Sequence, residues 1–223
     1  MPAGATGTID TTAEMSRTTL QPEVAVAEAK SGFVDDIDSA RAQEYGLLAA
    51  LLARAPDAAL LARLGRLRGD ATPLGVAHAA LAEAALRTTP DRLQREYFAL
   101  FIGLGRGELL PYGSYYLTGF LHERPLQRLR QDLVELGIER SQGNIEPEDH
   151  AAILCEVMAG LADGRFAAPA GSDKRIFQRH LKPWIGRFFA DLERAETADF
   201  YARVGTVGRL FMEIETEAFA LPS

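Results

Sequence analysis

The stretch Thr89–Gly103 reads TPDRLQREYFALFIG, and its pattern recurs through the rest of the chain. Thr89 is a residue type that caps helices, and the proline after it favours the first helical position. Three large side chains then recur at the spacing i, i+3, i+4 of one helix face: Tyr97, Leu100 and Phe101. Gly103 is typical of the residue that follows a helix end. The stretch therefore predicts an amphipathic helix that ends at about residue 102.

Similar start signals flank this stretch on both sides. The residues expected to cap or open further helices are Asp38 or Ser39, Asp57, Thr72, Ser114, Pro125, Glu146, Ser172 and Thr197. Pro183 should break the helix that Ser172 starts, because proline lacks a backbone N–H. No stretch alternates apolar and polar residues with β-branched side chains, so strands are not expected. The sequence predicts an all-α fold, a multi-helix bundle with mostly short connections.

Composition and length favour one globular domain behind a tail. Residues 1–37 are rich in Thr, Ala and Gly, and Phe33 is their only aromatic residue, so we expect a disordered or weakly ordered tail. An all-helical domain is expected over residues 38–223. No run of about 18 apolar residues occurs, which argues against a membrane span. The first residues lack the basic and apolar regions of a secretory signal, so we expect a cytoplasmic protein.

The charge balance restricts the class of partner. The formal net charge of −7 argues against nucleic acid or an anionic membrane surface as the main partner. It suits a partner that carries positive charge. The single cysteine, Cys155, cannot form an internal disulfide or a Cys-x-x-Cys metal pair.

The densest polar cluster is EPEDH, residues 146–150. One interpretation is a helix start in which Glu146 caps the helix and the acids complement its dipole, but this leaves His150 unexplained. Glu146 and His150 could share a helix face, yet a second histidine at helical spacing is missing, so the usual zinc ligand sets are absent. The glycines of GLGRG, residues 103–107, lack the lysine of a phosphate loop. A metal- or nucleotide-dependent enzyme at Glu146–His150 stays the weaker alternative.

The aromatic residues allow two interpretations. Tyr97, Leu100 and Phe101 share a helix face, and Tyr112 and Tyr115 follow across a loop. Such a stripe is typical of simple core packing. It is equally typical of an apolar groove with a polar rim, which can hold an amphipathic peptide.

Four segments in this order resemble the TorD/DmsD/NarJ family. They are EYFALFIG at Glu96–Gly103, LLPYGSYYL at Leu109–Leu117, the leucine-rich Pro125–Ile138, and EPEDH at Glu146–His150. Members of this family are dedicated cytoplasmic chaperones of molybdenum-containing redox enzymes. The resemblance covers roughly residues 40–215 and is strongest over 94–161. It implies an all-helical, TorD-like fold with a hinge between its N- and C-terminal halves, and no catalysis.

The resemblance also implies a function and site residues. The family binds the twin-arginine signal peptide and the apo form of a molybdopterin-containing catalytic subunit, here of formate dehydrogenase or DMSO-reductase type. Binding aids cofactor insertion and delays export. Residues that match the family's groove motif, its proline–aromatic loop and its Asp-His pair are Tyr97, Leu100, Phe101, Pro111, Tyr112, Ser114, Tyr115, Asp149 and His150. Tyr112 stands where some members carry Trp. Charge complementarity to the two arginines adds Glu146 to the expected client-binding residues.

The resemblance leaves cofactor contact and assembly open. The chain needs no cofactor of its own, and transient contact with the molybdopterin cofactor or a guanine nucleotide has no motif in the sequence. We expect a monomer, with a hinge at His122–Pro125 that allows a domain-swapped dimer. A helical adaptor that binds a folded partner is the second alternative.

Overall fold

The computed structural model describes residues 36–139 and 146–221. Within these residues ten α-helices follow one another. They are α1 (Asp36–Ala53), α2 (Ala58–Leu64), α3 (Pro73–Arg87), α4 (Pro90–Tyr97), α5 (Gly113–Thr118), α6 (Arg124–Glu135), α7 (Ala151–Ala162), α8 (Ser172–Ile176), α9 (Ile185–Arg194) and α10 (Phe200–Ala218). Two π-helical turns, Phe98–Ile102 and Phe177–Leu181, extend α4 and α8.

The all-α prediction is confirmed, since the described part of the chain contains one isolated β-bridge, between Tyr112 and His150, and no strand. No helix in this part combines the length and the apolar character that crossing a bilayer requires. The tail predicted for residues 1–37 lies outside the described residues except for its last two. These two residues belong to α1, which begins at Asp36.

The core forms where α1 packs against α7 and where α10 packs against α9 and α3. The six largest fully buried side chains of the described residues are aromatic: Tyr45, Phe177, Trp184, Phe188, Phe189 and Tyr201. Fully burying one such side chain contributes about 1.5–3 kcal/mol. The packing of α7 against α1 also places the EPEDH cluster, which directly precedes α7, beside α1.

Three predicted caps are present as expected. The side chain of Asp57 accepts a hydrogen bond from Leu60 N, Thr72 from Gly75 N, and Thr89 from Arg92 N. Each cap satisfies a backbone N–H that has no partner inside its own helix, which typically contributes about 1 kcal/mol. Pro183 lies in the turn between Leu181 and α9, so the predicted break is also confirmed.

Five predicted caps are wrong. The first is Asp38 or Ser39, which lies inside the first turn of α1 because that helix begins at Asp36. Ser114 and Ser172 lie inside the first turns of α5 and α8 and are buried. Thr197 lies before α10, where its N–H and hydroxyl both donate to Glu108. Glu146 is not a cap either, because α7 begins at Ala151 and is capped by His150.

The predicted hinge lies at a tight turn. His122 has φ 60°, a left-handed conformation that costs a non-glycine residue roughly 1–2 kcal/mol. The next helix, α6, begins two residues later at Arg124. Exchange of halves at this turn stays a prediction.

Candidate functional site

The proline–aromatic loop and the EPEDH cluster meet through backbone pairing. Gly113 N donates to Asp149 O at 2.9 Å, and Ala151 N donates to Pro111 O at 2.8 Å. These bonds flank the antiparallel bridge between Tyr112 and His150. The pairing joins the second and fourth segments of the resemblance, which are distant in sequence.

Asp149 holds this junction together. It is 3% exposed, and its Oδ2 accepts a hydrogen bond from Ser114 N at 2.7 Å, at the start of α5. Its other oxygen and the Ser114 hydroxyl are buried and have no hydrogen-bond partner among the described residues. The carboxylate borders a cavity of about 290 Å³ that is also lined by Arg128, Arg179 and His180. Because these neighbours are basic, the cavity is poorly suited to an arginine side chain from a partner.

His150 caps α7 with a neutral ring. Its Nδ1 accepts a hydrogen bond from Ala152 N at 3.1 Å, which only an unprotonated nitrogen can do. Burial lowers the pKa of His150 to about 4, although Glu146 and Asp149 act in the opposite direction. A neutral histidine acceptor accounts for the residue that the helix-start interpretation left unexplained.

The stability of the protein should fall in acid because of His150. In the unfolded chain the pKa of a histidine is about 6.5, whereas that of His150 in the folded protein is about 4. Between these two pH values the unfolded chain binds a proton that the folded chain does not, so acid favours unfolding. One pKa unit corresponds to about 1.4 kcal/mol, so the loss at about pH 5 is at most ~2 kcal/mol. Urea unfolding of the wild type and of His150→Asn between about pH 5 and pH 8 measures it. Asparagine also caps helices but does not titrate, so its slope with pH should be shallower. Equal slopes would contradict the assignment.

Three of the predicted site residues line a second cavity. This acidic chamber, of about 410 Å³, is lined by Tyr97, Glu146, His150 and Glu156, and by small residues of α1. The small residues are Gly46, Ala49, Ala50 and Ala53. Arg165 also lines the chamber, and its guanidinium pairs with Asp163 at 2.6 Å.

Hydrogen bonds hold Tyr97, which lines the acidic chamber, and Tyr112, which does not line it but bonds to its Glu146. The Tyr112 hydroxyl donates to Glu146 Oε2 at 2.6 Å, and burial together with this carboxylate raises the pKa of Tyr112 well above its usual range. The Tyr97 hydroxyl donates to Leu52 O at 3.1 Å, and burial raises the pKa of Tyr97 to about 12. Both tyrosines therefore stay neutral and present fixed ring faces at ordinary pH.

Glu156 is a chamber residue that the sequence analysis missed. It is exposed, and it forms no ion pair with any other residue in the described ranges. It is also the one charged residue of α7, whose sequence is AAILCEVMAGLA. A single carboxylate in an otherwise apolar helix is the signal that could have identified it.

The other predicted site residues lie elsewhere. Leu100 is fully buried, and the Phe101 ring packs against Tyr97 and Tyr201 at centroid distances of 5.0 and 5.4 Å. Pro111 and Ser114 are buried at the backbone junction. Tyr115 lines a different cavity, where its hydroxyl accepts a hydrogen bond from Arg106 at 2.6 Å. The structure thus divides the predicted residues among the chamber, the core and a separate surface.

The EPEDH cluster does not assemble a metal-binding set. Across residues 36–139 and 146–221, no group of three or more His, Cys, Asp or Glu side chains is arranged to hold a metal ion. Within the cluster, Glu148 pairs with Arg130 at 2.8 Å, and Asp149 and His150 are used for capping. The metal-dependent alternative therefore has no ligand set among the described residues.

Comparison with known proteins identifies the family. The sequence model of the nitrate reductase delta subunit matches residues 67–190, more than half of the chain. This chain belongs to that family, which includes the TorD-type redox enzyme maturation chaperones. The resemblance noted in the sequence is therefore confirmed.

Individual relatives agree with this assignment. The chaperone protein TorD of Vibrio cholerae O1 (strain N16961) is 28% identical over 127 residues, which cover 53% of this chain and 56% of that protein. TorD of Escherichia coli O81 is 28% identical over 130 residues, covering 56% and 62%. The chain thus spans a little over half the length of these relatives. Both relatives are named as chaperones rather than enzymes.

A solved structure supports the fold. A protein from Archaeoglobus fulgidus that is assigned to redox enzyme maturation superposes with a TM-score of 0.53 and 20% sequence identity. The match covers 78% of this chain and 93% of that protein. At this identity the likeness bears on the fold alone.

Proposed function

We propose that this protein is a cytoplasmic chaperone for a molybdopterin-containing oxidoreductase. It binds the twin-arginine signal peptide and the apo catalytic subunit of its client, so that the cofactor is inserted before export. Family membership and the named relatives support the chaperone class. The client is an enzyme of the formate dehydrogenase or DMSO-reductase type.

The observation that carries the proposal is the acidic chamber. Glu146 and Glu156 place two carboxylates around one cavity, beside the tyrosine ring of Tyr97. Guanidinium groups pair with carboxylates through charge-assisted hydrogen bonds and also stack on aromatic rings. The small residues of α1 leave room for a side chain to enter. The net charge of −7 favours the approach of a cationic peptide.

The free energy of peptide binding needs a contribution beyond the contacts of the two arginines. A hydrogen bond to a charged group contributes about 1.5–3 kcal/mol, whereas micromolar affinity needs about 8 kcal/mol. Two arginines in the chamber fall short of that value after the cost of ordering the peptide. Apolar contacts from the rest of the peptide must therefore supply a comparable amount.

Glu156→Gln should weaken peptide binding at least fivefold, about 1 kcal/mol. The probe is a synthetic peptide that carries an Arg-Arg pair followed by a leucine- and alanine-rich stretch, titrated calorimetrically. Glu156 is exposed and the substitution is nearly isosteric, so folding should be unaffected. The matched control is Glu83→Gln, which removes an exposed carboxylate from α3, far from the chamber in sequence and not among its lining residues.

A Lys-Lys version of the peptide completes the test. Glu156→Gln and Arg→Lys should be non-additive if the two groups touch. Simple additivity would mean that Glu156 does not contact the arginines. If the wild type binds neither peptide, the signal-peptide proposal fails and the helical adaptor is the remaining function.

A further inference from the structure

A cavity lined mainly by apolar side chains lies beside the acidic chamber. This apolar trough has a volume of about 630 Å³. Its apolar lining comes from the end of α6, from α7 and from the loop after it: Leu133, Val134, Ile138, Ile153, Val157 and Phe166. Binding pockets for small ligands commonly measure roughly 300–1,000 Å³, so the trough has room for several apolar side chains.

The shape of the trough is fixed by packing rather than created by an occupant. Leu133, Ile138 and Val157 are buried, and Ile138 N donates to Leu133 O at 2.9 Å to close the end of α6. Phe166 stands over Gly160, where a Cβ atom would lie only 2.3 Å from the phenylalanine ring. Because its walls are held in place, the trough offers a preformed apolar surface, and an occupant need not order it.

The trough and the acidic chamber adjoin each other and share part of their lining. Both are lined by Ile153, Glu156 and Arg165. The other charges at the trough rim include Arg130 and Glu148, which pair with each other at 2.8 Å. The surface therefore changes from acidic to apolar across Glu156.

We propose that the trough binds the apolar segment that follows the arginine pair of the client's signal peptide. This inference rests on the proposed function. The order of the two cavities matches the order of the peptide, with cationic residues at Glu146 and Glu156 and apolar residues beyond Ile153. A second copy of this chain, with its net charge of −7, lacks that complementarity to the acidic end. The trough supplies the apolar contribution that the arginines cannot.

Val134 provides a clean test because it lines the trough and is yet 78% exposed. Val134→Asp and Val134→Lys should fold normally, since neither buries a charge in the free protein. Each should weaken binding of the Arg-Arg peptide about tenfold, because a charge at this position would be desolvated by an apolar occupant. Equal loss with either sign of charge separates apolar contact from attraction to the arginines.

Val76 supplies the matched control. It is a valine on α3, 58% exposed and outside the lining of the trough and chamber. Val76→Asp and Val76→Lys should leave affinity within about twofold of the wild type. A second peptide, with Ser and Gly replacing the apolar stretch, should bind the wild type more weakly and be insensitive to the Val134 substitutions.

The outcomes separate the two proposals. If the wild type binds the Arg-Arg peptide and the Val134 variants bind it equally well, the trough is not the apolar site, and the chamber is unaffected. If the Val134 and Val76 variants lose affinity alike, the loss is not specific to the trough and the trough assignment is wrong. If the wild type binds no peptide, the proposed function fails and this inference fails with it.

Discussion

Replacing Arg41 by alanine should destabilise the protein by about 3–5 kcal/mol, the usual cost of leaving a buried charge without its partner. Arg41 Nε and Nη2 donate to the two carboxylate oxygens of Glu215 at 2.8 and 2.9 Å. Glu215 is 1% exposed and also accepts a hydrogen bond from the Tyr45 hydroxyl. Arg41 further contacts Asp38 and Asp173, so one guanidinium ties α1 to α8 and α10. Without Arg41, the Tyr45 hydroxyl is the one donor that Glu215 keeps among the described residues.

The control is Arg209→Ala on α10. Arg209 pairs with Glu193 and Glu213 at 2.8 and 3.0 Å, but these carboxylates are 30% and 57% exposed. Ion pairs that water can reach contribute about 0–1 kcal/mol, so this variant should lose little stability. Urea unfolding at neutral pH measures both variants. Equal losses would show that Glu215 finds another partner when Arg41 is removed.

Local signals identified three of the helix starts by the residue that caps them. Asp57, Thr72 and Thr89 cap helices through bonds to their own next three residues, so the sequence alone contains the information. Two of the failures occur where a distant side chain performs the capping. Glu96 accepts a hydrogen bond from Tyr201 N in the first turn of α10, and Asp149 accepts one from Ser114 N in the first turn of α5. Such partners depend on the tertiary fold, which no local rule specifies.

The site was predictable only in part for a similar reason. Tyr97, Glu146 and His150 share the acidic chamber, as a groove with a polar rim requires. Leu100 has the same helical spacing but is fully buried, because spacing identifies a face and not what covers it. Glu156 joins the chamber because α7 packs against α1, a contact between distant segments.

Gly205→Ala should destabilise the protein by about 3 kcal/mol, the upper end of the usual cost of overpacking. From the sequence, Gly205 is merely an unfavourable residue inside α10, where alanine should be better by about 1 kcal/mol. In the structure, the expected effect of Gly205→Ala on stability has the opposite sign. A Cβ atom at Gly205 would lie 2.5 Å from Glu193 N and 2.9 Å from Phe189 O, both backbone atoms of α9. Because backbone cannot rotate away as a side chain can, the two helices would have to separate.

Gly46→Ala is the matched control, since Gly46 lies in the middle of α1 and a Cβ atom there would meet nothing within 4 Å. Without a clash, the helix propensity of alanine should stabilise the protein by about 0.5–1 kcal/mol. Thermal and urea unfolding of both variants should therefore shift the midpoint in opposite directions. If Gly205→Ala also stabilises, the contact between α9 and α10 is looser than the backbone distances require. The close approach of these helices would then not be the reason for glycine at this position.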